Sequence, residues 1–320
     1  MIDIVIATYN GSKYIEEQLL SILNNVNFKI LINKVIITDD SKDDETKKIV
    51  ANLFKKNDIA NMLIYVRNSE SLGACRNFFN GLTYTESEYV MFCDQDDIWL
   101  EHKIIDEFNL IKRLEDDKNI PCLVFTDSCV VDSHLNTINN SFFNYQNHNP
   151  KWTENFNNIL IQNIAPGCTM LVNRSALDKL KFTDNKCILM HDWWLLLICG
   201  AFGKIGFINS ATMLYRQHEH NVVGAGYTKL SDFILDFFNT MNQSKISFNK
   251  VLQQARYFLL LYKEDLVINK KNKEIEVLEI ISNFNALSKI NKIKYILNGT
   301  VKKDTLIRNL GLIFLIIFSK

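Results

Sequence analysis

Three carboxylates stand together at the end of an apolar run in the segment YVMFCDQDDIWLEHK, residues 89–103. Asp94, Asp96 and Asp97 follow residues typical of a buried strand and are themselves followed by apolar residues. Carboxylates in such surroundings are costly to bury unless their charge is balanced. A cation is the natural partner for this cluster of negative charge. The alternative is that Asp96 or Asp97 caps a helix that begins near Ile98.

A further acidic residue stands among large apolar and aromatic residues. Asp192 lies in MHDWWLLLI, between His191 and two tryptophans. Partial burial there would raise its proton affinity. The alternative is that Asp192 is the N-cap of a helix that begins with the tryptophans.

The elements that must position these side chains alternate between strands and helices over the first 130 residues. Apolar runs such as IDIVIAT, KVIIT, MLIYV and YVMFC are separated by helical patterns such as SKYIEEQLLSILNN and DDETKKIVANLFKKN. This alternation predicts a mostly parallel sheet with helices on both faces. Ligands of such sheets bind beyond the carboxyl ends of the strands. We therefore expect one shared site for the polar residues that follow the apolar runs: Thr8, Tyr9, Asn10, Asp39, Asp40, Asp94 and Asp96.

Two common classes of nucleotide-binding protein are disfavoured. No GxGxxG follows the first strand, and no GxxxxGK[ST] occurs in the chain, which argues against dinucleotide oxidoreductases and P-loop NTPases. In the first loop, Tyr9 could stack on a nucleobase while Thr8 and Asn10 form hydrogen bonds with it. Turn chemistry explains Asn10-Gly11 equally well.

The composition is that of a compact globular protein. The 320 residues are 47% apolar and 22% charged, and the formal net charge of zero argues against nucleic acid as the main partner. From Lys229 onward, 15 Lys and Arg stand against 8 Asp and Glu, so the tail is basic. The seven cysteines form no CxxC pair and predict buried free thiols. With no secretory leader before the first strand, we expect a reducing cytoplasm.

The second half of the chain changes character near Tyr227. Strand patterns continue in PCLVFTDSCVVD, GCTMLVNRSAL and KIGFINSATMLYRQH, and the Asn-rich segment 135–158 is expected to be an acceptor-side loop or lid. Beyond it the pattern is helical. We predict a catalytic domain over residues 1–227 and a helical extension over 228–320. The apolar run 310–318 is too short to span a bilayer, and it could lie at a membrane interface or pack on the tail.

Five segments together resemble one family. IVIATYNGSKYIEEQLLSIL, ITDDSKDDET, SLGACRNF, CDQDDIW and MHDWW…YRQHEHNVVG, between residues 2 and 226, are similar to family 2 glycosyltransferases, and the last resembles their rhamnosyltransferase branch. The resemblance implies a glycosyltransferase A-type fold, with a Rossmann-like, mostly parallel sheet flanked by helices. The chain departs from the commonest pattern at His191, where many relatives have an acid.

The resemblance also implies roles for individual residues. A divalent cation, Mn²⁺ or Mg²⁺, would be held by Asp94 and Asp96 with His218. Asp39 would accept a hydrogen bond from a pyrimidine base, with Asp40 beside it, and Arg76 would lie near the nucleotide or its phosphates. The full expected nucleotide-sugar site is Thr8, Tyr9, Asn10, Asp39, Asp40, Arg76, Asp94, Gln95 and Asp96.

For the reaction, the resemblance implies an inverting, metal-dependent transfer with Asp192 as the general base. The expected donor is dTDP-L-rhamnose, with UDP-hexoses and UDP-N-acetylhexosamines as alternatives. The expected acceptor is a glycan or lipid-linked oligosaccharide of a surface polysaccharide, at the inner face of the cell membrane and with peripheral membrane contact through the tail. A non-catalytic nucleotide-sugar-binding or scaffold protein is the alternative from another class.

Overall fold

The computed structural model describes residues 1–181, 185–219 and 230–318. Its strands are β1 (Ile2–Thr8), β2 (Ile32–Asp39), β3 (Leu63–Arg67), β4 (Tyr89–Cys93), β5 (Ile98–Trp99), β6 (Cys122–Val131), β7 (Thr137–Asn139), β8 (Met170–Asn173) and β9 (Lys204–Arg216). Its helices are α1 (Ile15–Leu23), α2 (Phe28–Leu31), α3 (Glu45–Lys56), α4 (Ala74–Leu82), α5 (Lys103–Leu114), α6 (Phe142–Gln146), α7 (Phe156–Ile161), α8 (Arg174–Asp178), α9 (His191–Phe202), α10 (Leu230–Ile268), α11 (Asn272–Ser282), α12 (Lys289–Leu297) and α13 (Leu306–Phe318).

The strands form one sheet in the order β3-β2-β1-β4-β8-β6-β9-β5, with β7 paired to β6. The β3-β2-β1-β4 half is parallel, as the alternation of strands and helices predicts. The other half is mixed, because β8 runs antiparallel to both β4 and β6. The carboxyl ends of β1, β2 and β4 therefore meet at one edge of the sheet.

The sheet is buried on both faces, and consecutive residues of a strand point to opposite sides. In β1, Ile4 and Ile6 pack with the apolar faces of α1, α3 and α5. Val5, between them, belongs to a second core with α4, α9 and the C-terminal helices. Strands buried on both faces read as continuous apolar runs, which is why IDIVIAT has no polar alternation.

The expected helix start near Ile98 is wrong. Ile98–Trp99 is the short strand β5, which pairs antiparallel with β9, and α5 begins only at Lys103. The Asn-rich segment 135–158 is also not an extended loop. It folds into β7, α6, a short 3₁₀ helix at Pro150–Glu154 and the start of α7, and several of its helix starts are capped by Asn or Ser side chains.

The C-terminal helices do not form a separate core. Trp194 of α9 is fully buried, and its ring contacts those of Tyr257, Phe258 and Tyr262 on α10. In α13, Leu312, Leu315 and Ile316 are buried against the rest of the molecule, so the terminal apolar run packs back on the protein with one face.

The expected boundary at Tyr227 lies outside the described residues, between the end of β9 and the start of α10. Within the part of the chain that the structure describes, no helix has the length and apolar character to cross a bilayer. All seven cysteines are free thiols, as the sequence predicts, but only four of them are buried: Cys93, Cys122, Cys168 and Cys199.

Candidate functional site

The acidic loop begins directly after β4 and turns toward a large cavity at the carboxyl edge of the sheet. Asp94, Gln95 and Asp96 line that cavity. Asp97 is buried behind it and accepts a hydrogen bond from the backbone N–H of Arg216 at 3.0 Å. Because α5 starts at Lys103, neither Asp96 nor Asp97 serves as its cap.

The end of β9 brings His218 to this loop. Its Nε2 lies 2.7 Å from Asp96 Oδ2, and its ring stacks on Tyr14 with the centroids 5.1 Å apart. The two residues that the resemblance assigns to one metal site, 122 positions apart in sequence, are therefore in contact. His220 lies outside the described residues.

Arg216 is a residue that sequence reasoning missed. It is 3% exposed, and its Nε donates to the backbone carbonyl of Asp96 at 2.7 Å while a terminal nitrogen contacts Glu17 at 2.5 Å. A guanidinium has several hydrogen-bond donors in one plane, so it can hold a loop in one conformation. The sequence signal that could have found it is its position in YRQH, two residues before the histidine that reaches the site.

The electrostatics of the acidic loop fit a cation. Burial and the charge of Asp96 raise the pKa of Asp94 to about 7, and burial with the same neighbouring charges raises the pKa of Asp97 well above its usual range. The buried Asp97 Oδ2 has no hydrogen-bond partner among the described residues. Ligand atoms of Asp94, Asp97 and Cys168 all lie within 4.8 Å of one another. A divalent cation would relieve this repulsion, and the hard carboxylates suit Mg²⁺ or Mn²⁺ better than the thiol, whose pKa burial raises.

At the end of β2, Asp39 is enclosed by the protein. It has no exposed surface, its Oδ1 accepts hydrogen bonds from Thr8 Oγ1 at 2.9 Å and from Ser41, and its Oδ2 accepts one from the Tyr65 hydroxyl at 2.5 Å. Burial and the bond to Asp39 raise the Tyr65 pKa far above its ordinary value. Tyr65 and Ser41 carried no sequence signal, because the pairing of β2 with β3 is what brings Tyr65 to Asp39.

Asp40, by contrast, lines the cavity. Its Oδ2 accepts the backbone N–H groups of Leu72 and Gly73 at 3.0 and 2.9 Å, so it fixes the loop that precedes α4. Asp43 and Asp44 lie at the start of α3, where Asp44 occupies the N-cap position and Asp43 accepts the backbone N–H of Glu45 at 2.9 Å. Arg76 is exposed on α4 and does not line the cavity, which receives Asn77 and Phe78 from that helix.

The first loop is tied to the acidic loop. The Gln95 side chain accepts the Tyr9 backbone N–H at 2.9 Å and donates to the Tyr9 carbonyl at 3.1 Å. The Tyr9 ring is 57% exposed at the rim of the cavity, and Thr8 lies deeper. Asn10 adopts a left-handed turn conformation with φ 49°, so the turn alternative for Asn10-Gly11 describes its backbone.

Asp192 lies in the first turn of α9 and faces the same cavity. Its Oδ2 accepts the Gly167 backbone N–H at 2.9 Å, and its Oδ1 accepts that of Trp193 at 2.5 Å. Burial raises its pKa to about 6, while these bonds act in the opposite direction. The helix N-terminus also favours its negative charge. Asp192 is not the N-cap, which is Met190.

The neighbours of Asp192 have different roles. His191 is 2% exposed, stacks on Phe78 at 3.9 Å, and lines the cavity. Burial lowers its pKa to about 3, so its imidazole is neutral. Trp193 lines the cavity and donates from its indole to the Ile159 carbonyl at 2.6 Å, whereas Trp194 is core.

The cavity has a volume of about 1440 Å³ and brings Thr8, Asp40, Asp94, Asp96 and Asp192 to one space. It continues onto the C-terminal helices, which the sequence motifs did not indicate. Seven of the expected residues line it: Thr8, Tyr9, Asp40, Asp94, Gln95, Asp96 and Asp192. Asn10, Asp39, Arg76 and His218 do not.

Comparison with known proteins gives a family and a fold. Residues 3–181 match the model of the family described as Glycosyl transferase family 2. The dTDP-rhamnosyl transferase RfbG of Shigella flexneri is 32% identical over 231 residues, which cover 68% of this chain and 73% of that protein.

Two solved structures share the architecture at low identity. Staphylococcus aureus TarS 1–349, in complex with UDP-GlcNAc, superposes with a TM-score of 0.54 at 14% identity, covering 98% of this chain and 90% of that one. The mannosyltransferase PcManGT of Pyrobaculum calidifontis, in complex with GDP-Man and Mn²⁺, gives 0.54 at 14% identity, with 99% and 84% covered. At this identity the likeness concerns the fold alone.

Proposed function

Because the chain belongs to glycosyl transferase family 2, and so is a glycosyltransferase, we propose that it transfers L-rhamnose from a dTDP-linked donor with inversion at the anomeric carbon. The acceptor is a glycan or lipid-linked oligosaccharide. The observation that carries the reaction class is the opening of Asp94, Asp96 and Asp192 into one cavity. Support for the donor comes from the rhamnosyl transferase relative, at 32% identity.

The nucleotide would lie at the ends of β1 and β2. The exposed Tyr9 ring offers a stacking surface at the rim, and Thr8 and Asp40 face the cavity. Asp39 could accept a hydrogen bond from the imide N–H of a pyrimidine only if one of its present hydrogen bonds were broken. The bond from the Tyr65 hydroxyl is the one that would have to break, because Tyr65 occupies Oδ2. We assign Arg76 to the outer phosphates, since its long side chain stands exposed on α4 at this edge.

Asp94 and Asp96, with His218 beside Asp96, would hold the divalent cation. When bound, that cation would neutralise the diphosphate that departs from the sugar. Arg216 and Gln95 keep the carboxylates in place by fixing the backbone of the loop and its connection to Tyr9.

Asp192 acts as the base that removes the acceptor hydroxyl proton. Burial raises its pKa to about 6, so that it is ionised at neutral pH and yet has a higher proton affinity than an exposed aspartate. The backbone N–H groups of Gly167 and Trp193 hold its carboxylate in one orientation. Neutral His191 beside it does not compete for the proton.

We also propose that the outer face of α13 touches the membrane that carries the acceptor. Leu310, Phe314 and Phe318 are exposed on the side opposite the buried Leu312 and Leu315, and the tail is basic. The free thiols are in keeping with transfer on the cytoplasmic side.

Sedimentation with anionic and zwitterionic vesicles tests this contact. Phe314→Ser should weaken binding to anionic vesicles, whereas Ile30→Ser, at an exposed apolar residue in the first half of the chain, should not. Equal binding of both variants and the unaltered chain would remove the helix from the proposal.

The donor is tested by release of nucleoside diphosphate from a panel of dTDP- and UDP-sugars, with Mn²⁺ or Mg²⁺ and again with a chelator. We expect metal-dependent release from dTDP-rhamnose. Release from a UDP-sugar instead would keep the reaction class and replace the donor. Donor binding without turnover, also in the presence of glycan acceptors, would favour the non-catalytic alternative.

A further inference from the structure

The cavity extends beyond Asp192 to a wall built by the C-terminal helices. This wall is partly apolar, with contributions from Phe248 and Val251 of α10 and Gly311, Leu312 and Leu315 of α13. Polar groups also face the cavity here, namely Lys303 and Arg308 from the tail and Gln146 and His148 from the segment around α6. The end formed by the acidic loop and Asp192 is negative, so the two ends of the cavity differ in charge.

Asp304 follows Lys303 in the sequence, and its charge is already balanced. Its side chain is 1% exposed and pairs with His148, while Arg308 Nη1 lies 2.7 and 2.9 Å from its two oxygens. Arg308 also donates to the Gln146 carbonyl at 3.1 Å. The cluster joins the start of α13 to the catalytic domain and leaves no free negative charge.

The side chain of Lys303 takes no part in the cluster that Asp304 forms with His148 and Arg308. Its backbone is held on both sides by the Asn309 side chain, at 2.8 and 2.6 Å, so its position at the wall is fixed. Its ammonium forms no hydrogen bond or ion pair with the residues that the structure describes. Burial, helped by the charge of Arg308, lowers its pKa. Lys303 is partly buried and lines the cavity, so its ammonium is open to an anion that enters there.

We propose that Lys303, with Arg308 beside it, forms a subsite for an anionic group of the acceptor, a phosphate or a carboxylate. The proposal rests on the glycosyl transfer proposed above and names one feature of the acceptor that this cavity selects. The charged group binds at the tail end, and the hydroxyl to be glycosylated reaches toward Asp192. Two sources supply such a group, the phosphate of a lipid carrier and an acidic sugar within the glycan.

Matched pairs of small probes test the subsite on the full chain, with a chelator present and no sugar donor. Geranyl phosphate is compared with geraniol, and methyl glucuronide with methyl glucoside, by titration calorimetry. We expect one charged probe to bind roughly tenfold or more tightly than its neutral counterpart, the scale of one hydrogen bond between charged groups. Preference for geranyl phosphate identifies the lipid carrier as the source, and preference for the glucuronide identifies the glycan.

The variants separate the subsite from general attraction to a basic tail. Lys303→Met should abolish the preference and Lys303→Arg should keep it. Lys302→Met is the matched control, because Lys302 is adjacent, lies 5.4 Å from the Trp152 ring and does not line the cavity. Thermal unfolding checks that each variant is folded.

Equal affinity of charged and neutral probes for the unaltered chain overturns the proposal, whatever the variants do. A preference that survives Lys303→Met, or is lost equally in Lys302→Met, also overturns it. Because no donor is present, these results are independent of the donor panel, and either proposal can fail alone.

Discussion

Replacing Asp192 by asparagine tests the reaction most directly, because the two side chains have nearly the same shape. The variant keeps one oxygen for the backbone N–H of Gly167 or Trp193 and loses the ability to take a proton. General-base catalysis contributes about 10²- to 10⁴-fold. We expect transfer to fall by at least about 100-fold, with donor affinity unchanged.

The stability of this variant follows from the same geometry. Burial raises the Asp192 pKa from 3.8 to about 6, a shift that corresponds to about 3 kcal/mol. A raised carboxyl pKa means that the stability contributed by the protonated form is lost as the pH rises from about 4 to 6. Asparagine avoids that loss but leaves one N–H without its acceptor, at about 1–3 kcal/mol. The two effects oppose each other, so the free energy of unfolding at neutral pH should change little.

The pH profile of kcat/KM supplies the assay. With a pKa of about 6, roughly one tenth of Asp192 is ionised at pH 5, so the rate should be about tenfold lower there than at pH 7.5. Asp94 is the charge that faces Asp192, and a cation bound there would move the midpoint to lower pH. The residual activity of Asp192→Asn should lack this acid limb.

Two results would refute the reasoning. Transfer by Asp192→Asn at more than one tenth of the normal rate would remove the residue from the mechanism. An acid limb that persists in the variant would belong to another group, with the acidic loop as the first candidate.

Three further changes probe the metal site, the base and the core. Asp94→Asn should reduce nucleoside diphosphate release by about tenfold or more and raise the Mn²⁺ concentration needed for half the rate; an unaltered Mn²⁺ dependence would place the cation elsewhere. Gly167→Ala would bring a Cβ to 2.7 Å from His191 Nε2 and 3.2 Å from Asp192 Cβ, so turnover should drop while calorimetry shows normal donor binding. Phe258→Ala should lower the free energy of unfolding by about 3–5 kcal/mol, since this fully buried ring contacts Trp194. Urea unfolding followed by tryptophan fluorescence should remain a single transition, and two separate steps would contradict a shared core.

The first half of the fold is predictable because its periodicity is strong. Runs such as IDIVIAT and YVMFC indicate buried strands. The carboxyl ends of parallel strands meet at one edge of the sheet, so they bring Thr8, Asp40 and Asp94 together for any loop conformation. The mixed half is harder, because nothing in the pattern of β8 sets its direction. Ile98–Trp99 stands shortly before helix α5 in the sequence, and only its pairing with β9 makes it a strand.

The parts of the site that escaped prediction depend on contacts between distant segments. Tyr65 reaches Asp39 only through the pairing of β2 with β3, and Arg216 fixes the acidic loop from 120 positions away. Lys303 belongs to a tail that the recognised motifs do not cover. Such residues do not belong to a recognisable local sequence motif, so tertiary structure is needed to find them.

The packing of Trp194 on α10 limits how this enzyme can be recombined with its relatives. Asp192 stands two positions earlier on the same helix. A tail from another sequence would therefore disturb the position of Asp192 as well as the cavity wall that the C-terminal helices build. A chimera that exchanges residues from α9 to α13 as one block keeps these surfaces matched. A chimera joined between β9 and α10 would not keep these surfaces matched, although the sequence motifs end at that junction.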